Sequence, residues 1–132
     1  MNDVVSQTLK KWRQTSFGYD NENDCLLSLA DYLIDCGYPD FGQKFRGTFQ
    51  DEKGAYGHII QYGGEEFIIA ETGLNETNSP KRGDIVLVEM ERKVAGIFLG
   101  EKIAFRTKRG VIEVNLKFLK IFKAWKVETC PQ

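Results

Sequence analysis

Residues 84–116 read DIVLVEMERKVAGIFLGEKIAFRTKRGVIEVNL. Four short runs rich in Val, Ile and Phe are separated by ERK, GEK and TKRG. Runs of this length and β-branched content, bounded by charged or Gly-containing turns, read as strands. Connections this short join antiparallel neighbours, because a parallel pair needs a crossover of a dozen residues or more. The stretch therefore predicts a meander of four strands.

Upstream of Asp84 the period changes. Between Asp24 and Cys36 the apolar residues Cys25, Leu26, Leu29, Tyr32, Leu33 and Cys36 recur at three and four, the stripe of a helix packed on a core. Asn23 or Asp24 is placed to cap its start, and Gly37 with Pro39 to end it. Val4, Val5, Leu9 and Trp12 give residues 2–12 a similar stripe, and the segment RQTSFGYDNEND that follows reads as a loop. Weaker helical patterns cover 50–62, ending at Gly63-Gly64, and 65–71, before the turn-rich ETGLNETNSPKRGD. The last segment, KFLKIFKAWKV, fits either a helix, through Phe118, Phe122 and Trp125, or a closing strand over AWKV. Helices first and consecutive antiparallel strands second predict an α+β architecture, with the N-terminal helices packed on a C-terminal antiparallel sheet.

The chain of 132 residues has 42% hydrophobic and 28% charged residues, the make-up of a folded domain rather than of a disordered chain. That length matches one domain over 1–132 with a continuous core. No apolar run approaches the roughly 20 residues of a membrane helix. The first residues, MNDVVSQTLKKW, lack the basic start and apolar stretch of a signal peptide. Nothing in them directs the chain out of the cytoplasm where it is made, and no membrane association is expected.

The net charge of −1 conceals an uneven distribution: residues 1–80 hold 6 Lys/Arg and 13 Asp/Glu, whereas residues 81–132 hold 12 and 6. Such asymmetry suits an acidic partner for the second half or complementary docking of charged surfaces. Cys25, Cys36 and Cys130 are an odd number without CxxC spacing, which indicates neither a disulfide framework nor a zinc site. Reduced thiols, no metal and no cofactor are expected. Eleven residues of helix place Cys25 and Cys36 roughly 16 Å apart, too far to bridge.

The piece Asn23-Asp24-Cys25-Leu26-Leu27, followed some sixty residues later by Arg82-Gly83-Asp84 and then by Val94-Ala95-Gly96-Ile97-Phe98, resembles the NlpC-type, papain-like cysteine peptidases of cell walls. The resemblance covers about residues 12–127. It implies a papain-like domain in which Cys25 stands at the nucleophile position, at the start of the central helix. A helix N-terminus favours the thiolate through its dipole and free N–H groups. Alignment on Gly96-Ile97-Phe98 puts Val94 at the family's catalytic His position and Phe105 near its third polar position. Neither side chain takes a proton from a thiol.

A second resemblance is to a phage-encoded family of unknown function on this degenerate template. It is carried by Trp12, Gly18, Asp24-Cys25-Leu26-Leu27, Ala30-Asp31, Arg46-Gly47-Thr48-Phe49, Arg82-Gly83-Asp84, Ala95-Gly96-Ile97, Gly110-Val111 and Ala124-Trp125-Lys126-Val127. It implies a virion or tail-assembly component, a pseudoenzyme whose partners are other phage structural proteins and which reaches its place inside a particle.

Two alternatives stand beside this expectation. One is a peptidoglycan-directed cysteine amidase or endopeptidase that uses Cys25. Its base would be His58, the sole histidine of the chain, although that residue lies far from the family's position and a lone histidine on a helix is more often structural. The other is a nucleic-acid-binding module using Arg106, Lys108 and Arg109, a basic cluster expected at a strand hairpin, where solvated charge is the ordinary reading. Cys25 itself has a plainer reading as a small apolar residue on the buried face of its helix, and Asp24 as an N-cap.

Overall fold

The computed structural model describes residues 3–19 and 23–128. Among them are helices α1 (Val4–Gln14), α2 (Cys25–Asp35), α3 (Glu52–Gln61) and α4 (Glu65–Ala70), then strands β1 (Ile85–Glu89), β2 (Lys93–Phe98), β3 (Lys102–Thr107), β4 (Gly110–Asn115) and β5 (Lys120–Trp125). The α+β order expected from the sequence is therefore present.

Aspartates start three of the helices. Asp3 accepts from Ser6 N at 2.7 Å, Asp24 from Leu26 N and Leu27 N at 3.2 and 3.3 Å, and Asp51 from Gly54 N at 2.7 Å. Each satisfies amides that the helix leaves without partners, at about 1 kcal/mol per cap. Gly63 and Gly64, at φ 95° and 102°, separate α3 from α4, a backbone region that side chains with a Cβ resist.

The sheet has strand order β4-β3-β2-β1-β5, antiparallel throughout. The first four strands form the expected meander. The ambiguous last segment resolves into a 3-10 turn at Leu116–Phe118 and strand β5, which returns to pair with β1. On one face, Ile85, Leu87, Ile97, Ala104 and Trp125 pack with Val5, Leu9 and Trp12 of α1 and Leu29 and Leu33 of α2. On the other, Val86, Val88, Phe98, Ile103, Phe105 and Ala124 form a second cluster with Leu116, Leu119 and Ile121. Burial on both faces explains why β1 reads as a continuous apolar run rather than an alternating one. The core extends to Val5, earlier than the residue 12 at which the resemblance begins.

The Gly83-Asp84 pair locks this sheet to α2. Tyr32 donates its hydroxyl to Gly83 O at 2.6 Å, and the buried Asp84 carboxylate accepts from Lys81 N at 2.8 Å and Val127 N at 3.0 Å. Asp84 therefore ties the turn before β1 to the chain after β5.

Strands β2 and β3 pair at Ile97↔Ala104 and Phe98↔Ile103, after which β2 follows β1 and β3 follows β4. The sheet opens between them. Gly96 sits at the fork, where an added Cβ would lie 2.6 Å from Ala104 O and 2.8 Å from the Ile103 side chain.

Part of the uneven charge is met within the molecule. Helical-half carboxylates meet sheet-half cations at Asp3–Arg82, Glu52–Arg92, Glu52–Lys108, Glu66–Lys93 and Glu66–Lys123. Cys36, which caps the end of α2, is disulfide-bonded, so the expectation of reduced thiols fails there; Cys130 lies outside the described residues. No described helix is long and apolar enough to cross a membrane.

Candidate functional site: the Cys25 cavity

Where β2 and β3 part, a cavity of about 460 Å³ opens beside the N-terminus of α2. Cys25, Val94 and Phe105 all line it. Three positions that the resemblance assigns to one reaction centre are thus brought to one cavity, from a helix start and two strands far apart in sequence. Strand alternation adds a detail. Val94 is paired with Val88 and packs with the outer cluster, whereas Ala95 packs with the cluster that contains α2.

Two hairpins frame the mouth. Arg92 comes from the β1–β2 turn and Lys108 with Arg109 from the β3–β4 turn. Glu52, in the first turn of α3, bridges them, accepting from Arg92 at 3.2 Å and from Lys108 at 2.6 Å. Both cations hold the Glu52 carboxyl below its ordinary range. Arg92 also lies over the Tyr56 ring at 3.8 Å, a cation–π contact that fixes this wall.

Cys25 is half-buried and closely surrounded. Burial, followed by the negative charges of Asp24 and Glu65, pushes its thiol up to about 12. The helix N-terminus acts in the opposite direction, through hydrogen bonding at Leu26 and Cys25, and loses. Burial is also the largest cause raising Asp24, Glu65, Tyr19 and Tyr56, the latter to about 12. A nucleophilic cysteine needs an electropositive neighbourhood; the charges that act most strongly on the Cys25 thiol are those of Asp24 and Glu65, although cations line the same cavity.

His58 is held elsewhere. Its Nε2 lies 3.3 Å from Thr48 O and its ring packs against Phe45 and Phe49. It lines neither the main cavity nor the small one of about 20 Å³ that also touches Cys25.

The basic cluster is divided rather than displayed together. Lys108 and Arg109 are exposed at the hairpin, but Arg106 lies within β3 and is 5% exposed. The reading of Arg106 as a solvated hairpin charge is corrected by strand alternation, which turns it to the α2 side with Ala104. Its guanidinium donates to Thr15 O at 3.0 Å and to Thr15 Oγ1 at 2.8 Å. Asp24 and Asp31 act on it through space, yet no described carboxylate lies within ion-pair distance. Burial lowers its pKa as a result.

The sequence reading missed Tyr19, Glu52, Tyr56, Glu65 and Arg92. They carry no motif, and only the packing of α3 and α4 against the hairpins gathers them. Among the described residues no group of His, Cys, Asp and Glu is placed to hold a metal ion.

Comparison with known protein families matches residues 2–127 to the Domain of unknown function (DUF6950). The chain belongs to this family. The match spans both hairpins, α2 and the closing strand, so cavity and sheet lie within one family domain. No curated protein matches the chain.

Proposed function

We propose that this DUF6950 chain is a catalytically silent papain-like domain of NlpC type that serves as a phage virion or tail-assembly component, acting by binding other particle proteins. The observation that carries the silent half is the cavity around Cys25, which presents Val94 and Phe105 and no imidazole. Thiol-dependent amide cleavage needs a base for the thiol and an acid for the leaving amine. The phenols of Tyr19 and Tyr56 are pushed upward, away from the range of a base at neutral pH, and the thiol itself is held up at about 12. The structural role and the phage origin are supported by the sequence resemblance.

Neither alternative gains from the geometry. A peptidoglycan amidase would need His58, which sits away from the cavity. A nucleic-acid surface would need three free cations, of which Arg106 is buried and Lys108 is tied to Glu52.

The test has two arms. Wild type, Cys25→Ala and His58→Ala are expected to release nothing from purified cell walls or muropeptides; turnover lost in both variants would overturn the silent reading. Mass spectrometry of purified particles of the encoding phage is expected to find the chain in regular copy number, and its absence would overturn the virion role. Thiol chemistry gives a further check. Alkylation of Cys25 by iodoacetamide should rise about tenfold per pH unit through pH 10, whereas a plateau near neutrality would reveal an activated thiolate.

A further inference from the structure

Arg106 is a cation almost wholly removed from water with no carboxylate of the described residues at ion-pair distance. Buried charges are ordinarily paired, because an unpaired one loses its hydration without recovering the energy. Thr15 offers it two neutral oxygens, and Asp24 and Asp31 act on it only through space, so no described carboxylate pairs with it directly. Arg106 also lines the cavity that opens between β2 and β3.

The rest of the lining has a definite character. Four cationic side chains, Arg92, Arg106, Lys108 and Arg109, face a single carboxylate, Glu52. Arg92 and Lys108 are engaged with that carboxylate, while among the described residues the Arg109 guanidinium has no ion-pair partner. The walls between them are apolar: Met90, Val94, Phe105, Ile112 and Val114. At about 460 Å³, the space falls within the roughly 300–1,000 Å³ of small-ligand pockets.

We infer that the cavity between β2 and β3 is a binding site for a carboxylate-bearing peptide segment, whose carboxylate pairs with Arg106 and whose apolar side chain rests on Val94, Phe105 and Ile112. A guanidinium suits a carboxylate because its planar N–H fork matches two oxygens. One recessed cation without a direct ion pair, among apolar walls, calls for one negative charge on an apolar body. A nucleic-acid backbone presents repeated phosphates to an exposed basic track instead, and here the exposed cations are mostly spoken for. The inference rests on reading the cavity as a binding site rather than an active site.

Cys25 supplies the probe, since it lines the same cavity. Iodoacetate and iodoacetamide differ in the negative charge that Arg106 would attract. The rate ratio of iodoacetate to iodoacetamide at Cys25, followed by peptide mapping, is expected to exceed that of N-acetylcysteinamide by at least about tenfold. It should fall at least about threefold in Arg106→Gln, the other charges of the lining being unchanged. The dipeptide acetyl-Ala-Leu with a free carboxylate should protect Cys25 from iodoacetamide, and its C-terminal amide should not. A wild-type ratio equal to that of the model thiol, equal protection by acid and amide, or protection by inorganic phosphate or an oligothymidylate but not by the peptide, would each overturn the inference. The wild-type measurements decide the matter if Arg106→Gln does not fold. Intact acetyl-Ala-Leu is recovered if the cavity only binds; cleavage products would overturn the silent reading while leaving the carboxylate pairing in place.

Discussion

Arg46 and Arg106 approach α2 from different elements, and the protein serves them in opposite ways. Arg46 reaches Asp31 at 2.7 Å and Asp40 at 2.8 Å, and Asp40 in turn accepts from Gly42 N at 2.9 Å. The two carboxylates hold the Arg46 guanidinium well above its ordinary range, and Arg46 holds Asp40 below its own. Arg106, more deeply buried, has only Thr15 as a hydrogen-bond partner among the described residues. Near it the Asp24 Oδ1 atom is buried without a partner and Asp24 is pushed upward by burial. One region is a completed polar network that holds the segment after α2 in place. The other leaves Arg106 without a described carboxylate at ion-pair distance and one Asp24 oxygen without a partner, the arrangement on which the proposed binding site rests.

The sharpest way to break this comparison is to remove each guanidinium with a residue of similar length. Arg46→Met leaves Asp31 and Asp40 facing each other unpaired, and should lower stability by about 1–3 kcal/mol in denaturant unfolding; the moderate size reflects the partial exposure of the site. Arg106→Met loses two hydrogen bonds to Thr15 but also relieves a buried charge, so its stability should stay within about 1 kcal/mol of wild type. A loss at Arg106 as large as that at Arg46 would make it a structural node and remove the contrast.

The gentlest test is pH. Asp24 has a folded pKa raised by burial, so its charge costs stability at neutral pH, and that cost is relieved as pH falls through the raised value. Asp40 is lowered by Arg46; its contribution is complete above the unfolded value of 3.8 and is lost as pH falls through the depressed folded value. Thermal stability should therefore rise modestly on acidification from neutrality and then fall below about pH 4. Asp24→Asn keeps the capping acceptor and removes the charge, so it should reduce the upper limb, to which Glu65, also raised by burial, still contributes, and leave the acid limb intact. An unchanged upper limb would show that Asp24 is not a buried charge of consequence.

Much of the fold was legible because it depends on local pattern. The three-and-four spacing of Leu26, Leu29 and Leu33 gave α2, Asp24 its start, Gly63-Gly64 the break after α3, and the short charged turns the meander. KFLKIFKAWKV was not legible. Its apolar residues satisfy both periods, and pairing with β1, a partner distant in sequence, decides for the strand. The halves of opposite charge were visible as composition, but whether they faced a partner or each other depended on how the helices docked.

For the site, the sequence alone determined that a cysteine follows a helix-capping aspartate and that Val94 and Phe105 carry no titratable group. It also determined that the one histidine lies outside the strand segments, since these are facts of residue identity and local order. Only the tertiary structure decided that Cys25, Val94 and Phe105 share a cavity, that Asp24 and Glu65 oppose ionisation of the thiol, and that Arg106 points inward while its neighbours Lys108 and Arg109 remain outside. Desolvation and through-space charge depend on which atoms surround a group in three dimensions, and residues as distant as Thr15 and Arg106 become neighbours only when helix and sheet pack together.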